Sequence, residues 1–187
     1  MAAKSNLLNM VLCLTLVCLV CSSLLAVSYA VTKEPIDAAQ VAKTNKTIAM
    51  VLPEFSGDVV PATLELGGVS YQYYEAPGAG YAIVSNTGGF GGQLSVMVGI
   101  ADGVVYNTKV LSHSETPGLG AKCQTDEKFL AQFRGLDPAV SRLAVVKDGG
   151  SVDAITASTI TSRAYTLAVA NAVAVYEEIV KGGQDNE

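Results

Sequence analysis

Between Ser5 and Thr32 the chain has no charged residue, and after position 21 it has a single cysteine, Cys123. It also lacks a basic excess. Each shortage excludes something. With a formal net charge of −5, no electrostatic footprint for nucleic acid is present. A lone Cys123 rules out a disulfide within the part of the chain that follows the uncharged stretch. The one histidine, His113, joins no Ser-His-Asp, Cys-His or metal-ligand array, so hydrolytic or metal catalysis has no visible machinery. We assign His113 no proton role. There is no low-complexity repeat. Gly88 to Gly92, G-G-F-G-G, is not G-x-G-x-x-G and no helical pattern follows it, so it reads as a bend that lets backbone approach closely.

The uncharged stretch is also apolar. Leu7 to Val31, about 25 residues, is long enough to cross a bilayer as a helix. Lys4 flanks its short side, which by the positive-inside rule keeps the amino terminus in the cytoplasm and places the rest outside. Small residues in Ser28-Tyr29-Ala30 also fit a cleaved secretory signal, but the apolar run exceeds the usual signal length. Cys13, Cys18 and Cys21 have the C-x4-C-x2-C spacing of one ferredoxin class. On a helix Cys13 and Cys18 point about 140° apart, and all three lie in lipid-facing sequence, so they read as small packing residues. An exported domain without a disulfide suits an anaerobe or a bacterial envelope.

An α+β fold is expected. Residues 1–32 form the anchor, 33–57 a helical connector and 58–187 a domain with an antiparallel sheet and flanking helices. The connector helix is expected to have Pro35 in its first turn, capped by Thr32 or Lys33, with Ile36, Ala39, Ala42 or Lys43 and Thr47 at helical spacing. Short β-rich runs cut by glycine follow: Val59 to Leu66, Val69 to Tyr74, Gly80 to Ser85, Leu94 to Ile100 and Val104 to Leu111. Ala101-Asp102-Gly103 supplies a hairpin turn. Thr125 to Arg134 reads as a short helix, Leu143 to Val146 as a strand, Lys147 to Ser151 as its turn and Val152 to Ile155 as the lead into the next motif. The tail from Gly182 is polar and frayed.

That motif is Asp153 to Ser162, D-A-I-T-A-S-T-I-T-S. The stripe Tyr165, Val169, Ala172, Tyr176, Ile179 predicts a helix beginning after Thr161 or Ser162, with Arg163, Thr166, Glu177, Glu178 and Lys181 largely off it. Thr161 and Ser162 then sit at the N-cap, where an anion is stabilised by unpaired N–H groups and the helix dipole. Capping a helix and filling a Ser/Thr turn is the common use of such hydroxyls and, from the residues alone, the preferred reading. A second polar loop, Ser114 to Lys122, S-E-T-P-G-L-G-A-K, presents Glu115, Thr116 and Leu119 around Pro117-Gly118 and Gly120.

These two stretches resemble the FMN-binding domain of Rnf G subunits and of the C subunit of the sodium-pumping quinone reductase. Asp153, Thr156, Thr159 and Thr161 match the flavinylation motif D-x-x-[S/T]-G-A-T-x-T. Ala157 stands in place of its glycine, a position implying close approach or positive φ, and Ser158 in place of its alanine. E-T-P-G-L-G is a second hallmark, and V-L-P-E-F, closing at Phe55, a third. The resemblance implies FMN joined through a phosphoester to Thr161 by a separate flavin transferase, near Thr159 and Ser158. Glu115 and Thr116 would offer polar contacts and Leu119 an apolar wall, with Gly120 beside them. Lys122 reads as facing either the phosphate or water, and the glycine cluster as lying beside the flavin. It further implies an electron-carrier subunit, not a stand-alone catalyst, in a complex that moves electrons between ferredoxin and NAD+ and translocates Na+ or H+. The other Rnf subunits and the lipid bilayer would be its partners, and the bacterial inner membrane its place. Two alternatives stand beside this: a flavin subunit of another exported electron chain, or a cofactor-free structural subunit.

Overall fold

The computed structural model describes residues 7–55 and 57–184, so Lys4 and the last three residues of the tail lie outside it. The chain divides into two compact units, Met1–Thr44 and Asn45–Glu187. The first consists of helix α1, Leu7–Val51, whose closing turns belong to the second. Within α1, Asn9–Lys33 is long and apolar enough to span a membrane. Cys13, Cys18 and Cys21 are all exposed along it, as is every residue from 9 to 33. No separate helix starts with Pro35 in its first turn. The α1 backbone is helical from end to end, so the expected cap at Thr32 or Lys33 is corrected: with sixteen helical residues on its carboxyl side, Pro35 forfeits one ladder hydrogen bond without ending the helix.

The second unit is built on a five-stranded antiparallel sheet in chain order, β1 Val60–Leu66, β2 Val69–Ala76, β3 Gly80–Gly88, β4 Gln93–Ala101 and β5 Val104–His113. All five expected strands are present. Asp102 (φ 50°) and Gly103 (φ 79°) make the left-handed pair of a type I′ hairpin turn between β4 and β5. β4 is buried along most of its length because both sheet faces are covered, which explains its run of consecutive apolar residues. One face carries helix α3, Thr159–Gln184, and the larger core. There Phe129, Phe133 and Tyr165 pack ring on ring at 5.0–5.3 Å, and the Tyr165 hydroxyl donates to Thr108 Oγ1 at 2.7 Å. The other face receives Ile48, Val51 and Leu52, against Ala76, Ala82 and Met97. Asn107 Nδ2 donates to Met50 O at 2.9 Å, satisfying one carbonyl at the α1 carboxyl end.

The stripe Tyr165, Val169, Ala172, Tyr176, Ile179 faces the core as expected. Thr166 lies off the stripe, about 100° round the helix from Tyr165, yet it is buried, with Oγ1 donating to Ser162 O at 2.8 Å. The expected helix at Thr125 to Arg134 shortens to α2, Glu127–Ala131, because Asp126 accepts from Lys128 N and Phe129 N and so caps it later. Leu143 to Val146 is not a strand. It makes one parallel bridge, Val145 to Val152, before a 3₁₀ turn at Val146–Asp148 carries the chain away.

Candidate functional site

The site begins where β5 ends. Past His113 the backbone turns, and Glu115 N–H donates to His113 Nδ1 at 3.2 Å while His113 Nε2 lies 3.1 Å from Gln124 Oε1. With Nδ1 as acceptor, the ring bridges the start of this loop to the 3₁₀ turn that follows. The Pro117-Gly118 turn closes through Leu119 N–H to Thr116 O at 3.2 Å, and a 3₁₀ turn at Gly120–Gln124 follows.

Glu115 is only 6% exposed, and each of its oxygens has a task. Oε1 accepts from Phe90 N at 2.7 Å and Gly91 N at 3.3 Å, holding the β3–β4 loop. Oε2 accepts from Thr161 Oγ1 at 2.8 Å. Two glycines make room for this. A Cβ on Gly89 would stand 2.0 Å from Glu115 Oε1, and one on Gly120 would stand 2.3 Å from Oε2 and 2.7 Å from Thr161 Oγ1. The close approach read from the glycine cluster is therefore made to the Glu115 carboxylate.

α3 begins at Thr159, earlier than its apolar stripe suggested. Ser158 N–H bonds Ile155 O at 3.0 Å across a turn in which Ala157 adopts φ 63°, and Ser162 N–H already bonds Ser158 O at 3.0 Å. Ser158 thus occupies the N-cap position, and Thr161 and Ser162 lie in the first turn. Ser162 is not a cap either: its hydroxyl donates to Ser158 O and accepts from Ile155 N, tying the turn together. The positive φ at the position where the resembled motif has glycine is kept here by alanine.

A cavity of about 370 Å³ opens at this junction, lined by Glu115, Thr116, Leu119, Gly120, Ser158, Thr159 and Thr161 together with Phe90, Ala157 and Ile160. Seven of the eight residues expected at a site meet there. Lys122 does not line it and is exposed on the 3₁₀ turn. Asp153 and Thr156 border a separate hollow beside Asp126 and Gln132. Phe90 and Ile160 were not anticipated, although Phe90 sits inside the glycine cluster. Phe90 is 69% exposed and, with exposed Leu119 and Ile160, gives the mouth an apolar rim. No cationic side chain is among the lining residues.

Burial first, and the Glu115 carboxylate second, push the Cys123 thiol up to about 11, so it stays protonated in the core. Burial likewise raises the Tyr165 phenol well above its usual range. On the outer side of α3, Arg163 makes a bidentate pair with Asp148 at 2.6 and 2.7 Å, which holds that carboxyl below the usual range.

A mostly apolar hollow at a helix amino terminus, floored by a buried hydroxyl, on a domain that follows a helix long and apolar enough to span a membrane, has the features of a small-molecule site on a membrane protein. The model of the FMN-binding domain family matches residues 89–174, from the Phe90 loop through the motif and well into α3. The G subunit of the proton-translocating ferredoxin:NAD(+) oxidoreductase complex of Clostridium ljungdahlii is 30% identical, covering 86% of this chain and 86% of that one. The G subunit of the Na(+)-translocating ferredoxin:NAD(+) oxidoreductase complex of Acetobacterium woodii is 31% identical over 79% of this chain and 69% of its own. Among solved structures, the C subunit of the Na(+)-translocating NADH-quinone reductase from Parabacteroides distasonis is 25% identical, with a TM-score of 0.45 over 56% of this chain and 59% of that one. The chain belongs to the family of Rnf-type ion-translocating oxidoreductase G subunits, and it is a membrane protein with an FMN-binding domain.

Proposed function

We propose that this chain carries FMN through a phosphoester on Thr161 and relays electrons inside a complex that joins ferredoxin:NAD+ oxidoreduction to Na+ or H+ translocation. The observation that carries the reading is the meeting of Thr161, the Glu115–Gly120 loop and the Phe90 loop, stretches far apart in sequence, at one cavity.

The residues present fit the group. The volume is that of a small-molecule site, Phe90, Leu119 and Ile160 offer apolar contact to a ring system, and Thr116, Ser158 and Thr159 offer polar contact. The N–H groups of Thr159, Ile160 and Thr161 have no intrahelical acceptor and favour an anion. Glu115 Oε2 accepts a hydrogen bond from the Thr161 hydroxyl and so orients that oxygen in the unmodified chain. When bound, FMN supplies the chemistry of taking up and passing on one or two electrons. Thr161 is 1% exposed, so an attachment there fixes the phosphate end at the cavity floor while the open mouth leaves space for the ring near the surface.

Attachment would be made by a separate flavin transferase, and the other Rnf subunits would receive the electrons. A single pass of α1, amino terminus in the cytoplasm, would place the domain on the outer face of a bacterial inner membrane. Relatives named for protons and for sodium stand at 30% and 31% identity to this chain, and the reading holds for either ion.

The test is to purify the detergent-solubilised complex from cells making either the natural chain or Thr161→Ala. The reading expects ferredoxin-driven NAD+ reduction and a flavin-fluorescent band in the denatured chain, both lost in the variant. A variant complex that keeps full activity would overturn it.

A further inference from the structure

We propose that the Ser158 hydroxyl is a ligand for the phosphate group held at Thr161, left without a protein partner so that it is free for that anion. This rests on the reading of the cavity as the flavin phosphate site and names one residue of that site's anion recognition.

Ser158 is 6% exposed, and its Oγ has no hydrogen-bond partner among the described residues. That is unusual for its position. A serine at an N-cap normally accepts from the N–H two or three residues on, yet here Oγ makes no such bond, while the carbonyl of the same residue accepts from Ser162 N at 3.0 Å and Ser162 Oγ at 2.9 Å. The backbone of Ser158 is therefore fixed and its hydroxyl is idle. A buried idle hydroxyl is unfavourable, since it loses water without gaining a partner.

The setting says what partner would remove the penalty. Ser158 lines the cavity, and the next three residues, which also line it, present the free N–H groups of the first α3 turn. All of these are donors. The one charged lining side chain, Glu115, is an acceptor already engaged with Thr161 and the Phe90 loop. An anion placed there meets no cation, so its stabilisation falls to N–H and O–H donors, and one more hydroxyl matters. Ser85 gives the contrast. Its Oγ is also buried and unpaired, but it lies in β3 and lines no described cavity.

The experiment uses the full-length chain in detergent, made without flavin transferase, and titrates riboflavin 5′-phosphate and riboflavin by flavin fluorescence. The natural chain is expected to prefer the phosphate form by tenfold or more, with inorganic phosphate competing against that form but not against riboflavin. Ser158→Ala should lower affinity for riboflavin 5′-phosphate by about tenfold, the scale of one hydrogen bond to a charged group, and leave riboflavin unchanged. The same substitution should raise the melting temperature of the flavin-free chain by about 2 °C. Ser85→Ala should raise it similarly with no effect on either flavin. An unchanged phosphate preference in Ser158→Ala, or a lowered melting temperature, overturns the proposal. If the natural chain binds both flavins equally, the phosphate ligand is refuted and the flavin site stands; if it binds neither, the reading of the cavity fails and this proposal with it.

Discussion

Replacing Glu115 tests whether the site is a built network. Glu115→Ala removes the acceptor of the Thr161 hydroxyl, a group 1% exposed that is left buried and unpaired, at about 1–3 kcal/mol. It also releases the Phe90 and Gly91 N–H groups, which are part-buried and recover some solvation, for about 1 kcal/mol together. Against this, the chain no longer has to bury a carboxylate, which returns part of the loss. The net expectation is about 2 kcal/mol, or a fall of roughly 4–8 °C in melting temperature for a chain of this size. Glu115→Gln keeps an oxygen for the two N–H groups and an amide beside Thr161 Oγ1, so its loss should stay below about 1 kcal/mol. The assay is thermal unfolding of the flavin-free chain in detergent. The sequence has no tryptophan, so near-ultraviolet circular dichroism of the buried Tyr165 is a suitable signal, with amide exchange read at Phe90 and Gly91. Exchange at those two amides should accelerate in the alanine variant and not in the glutamine variant. Equal melting of Glu115→Ala and the natural chain, with unchanged exchange, would refute the network.

Ala157 holds φ 63°, a conformation that disfavours any Cβ by about 1–2 kcal/mol. Ala157→Gly should stabilise by about 0.5 kcal/mol after the added freedom of the unfolded chain is counted, whereas Ala157→Val should destabilise by more than about 1 kcal/mol; a neutral valine would show that the residue is not left-handed. Cys123 is fully buried with its thiol raised to about 11, so iodoacetamide at pH 8 should leave it unmodified in the folded chain and label it after denaturation, as mapped by peptide mass spectrometry. Because unfolding restores the ordinary value near 9, this group leaves stability untouched below that pH and lowers it as pH rises from there toward the folded value. Labelling at the rate of an exposed thiol would contradict the packing.

The strands were legible because each is a short β-rich run closed by glycine or a turn pair, and Asp102-Gly103 marked its hairpin by residue type alone. The body of α3 was legible for the matching reason, a stripe at helical period. Its start was not. Hydroxyls at Thr161 and Ser162 look like caps, and only the left-handed turn at Ala157, a conformation alanine does not advertise, moves the first turn ahead of them. Leu143 to Val146 has strand composition, but a single bridge to Val152 gives it no ladder to belong to. Both halves of the site were visible as motifs, yet nothing in either announces the bond between Glu115 and Thr161, which are 46 residues apart. Phe90 escaped for a related reason, since its role depends on the loop being drawn over the cavity by a carboxylate from another strand's end.

The central claim is that Thr161 is the oxygen that carries the flavin, and one measurement addresses it directly. The full-length chain, produced with a flavin transferase, is digested and sequenced by tandem mass spectrometry, alongside Thr161→Ala and Thr159→Ala. The account predicts a single FMN phosphoester adduct localised to Thr161, present in the Thr159 variant and gone from the Thr161 variant. An adduct on another residue, or one that survives Thr161→Ala, would contradict it.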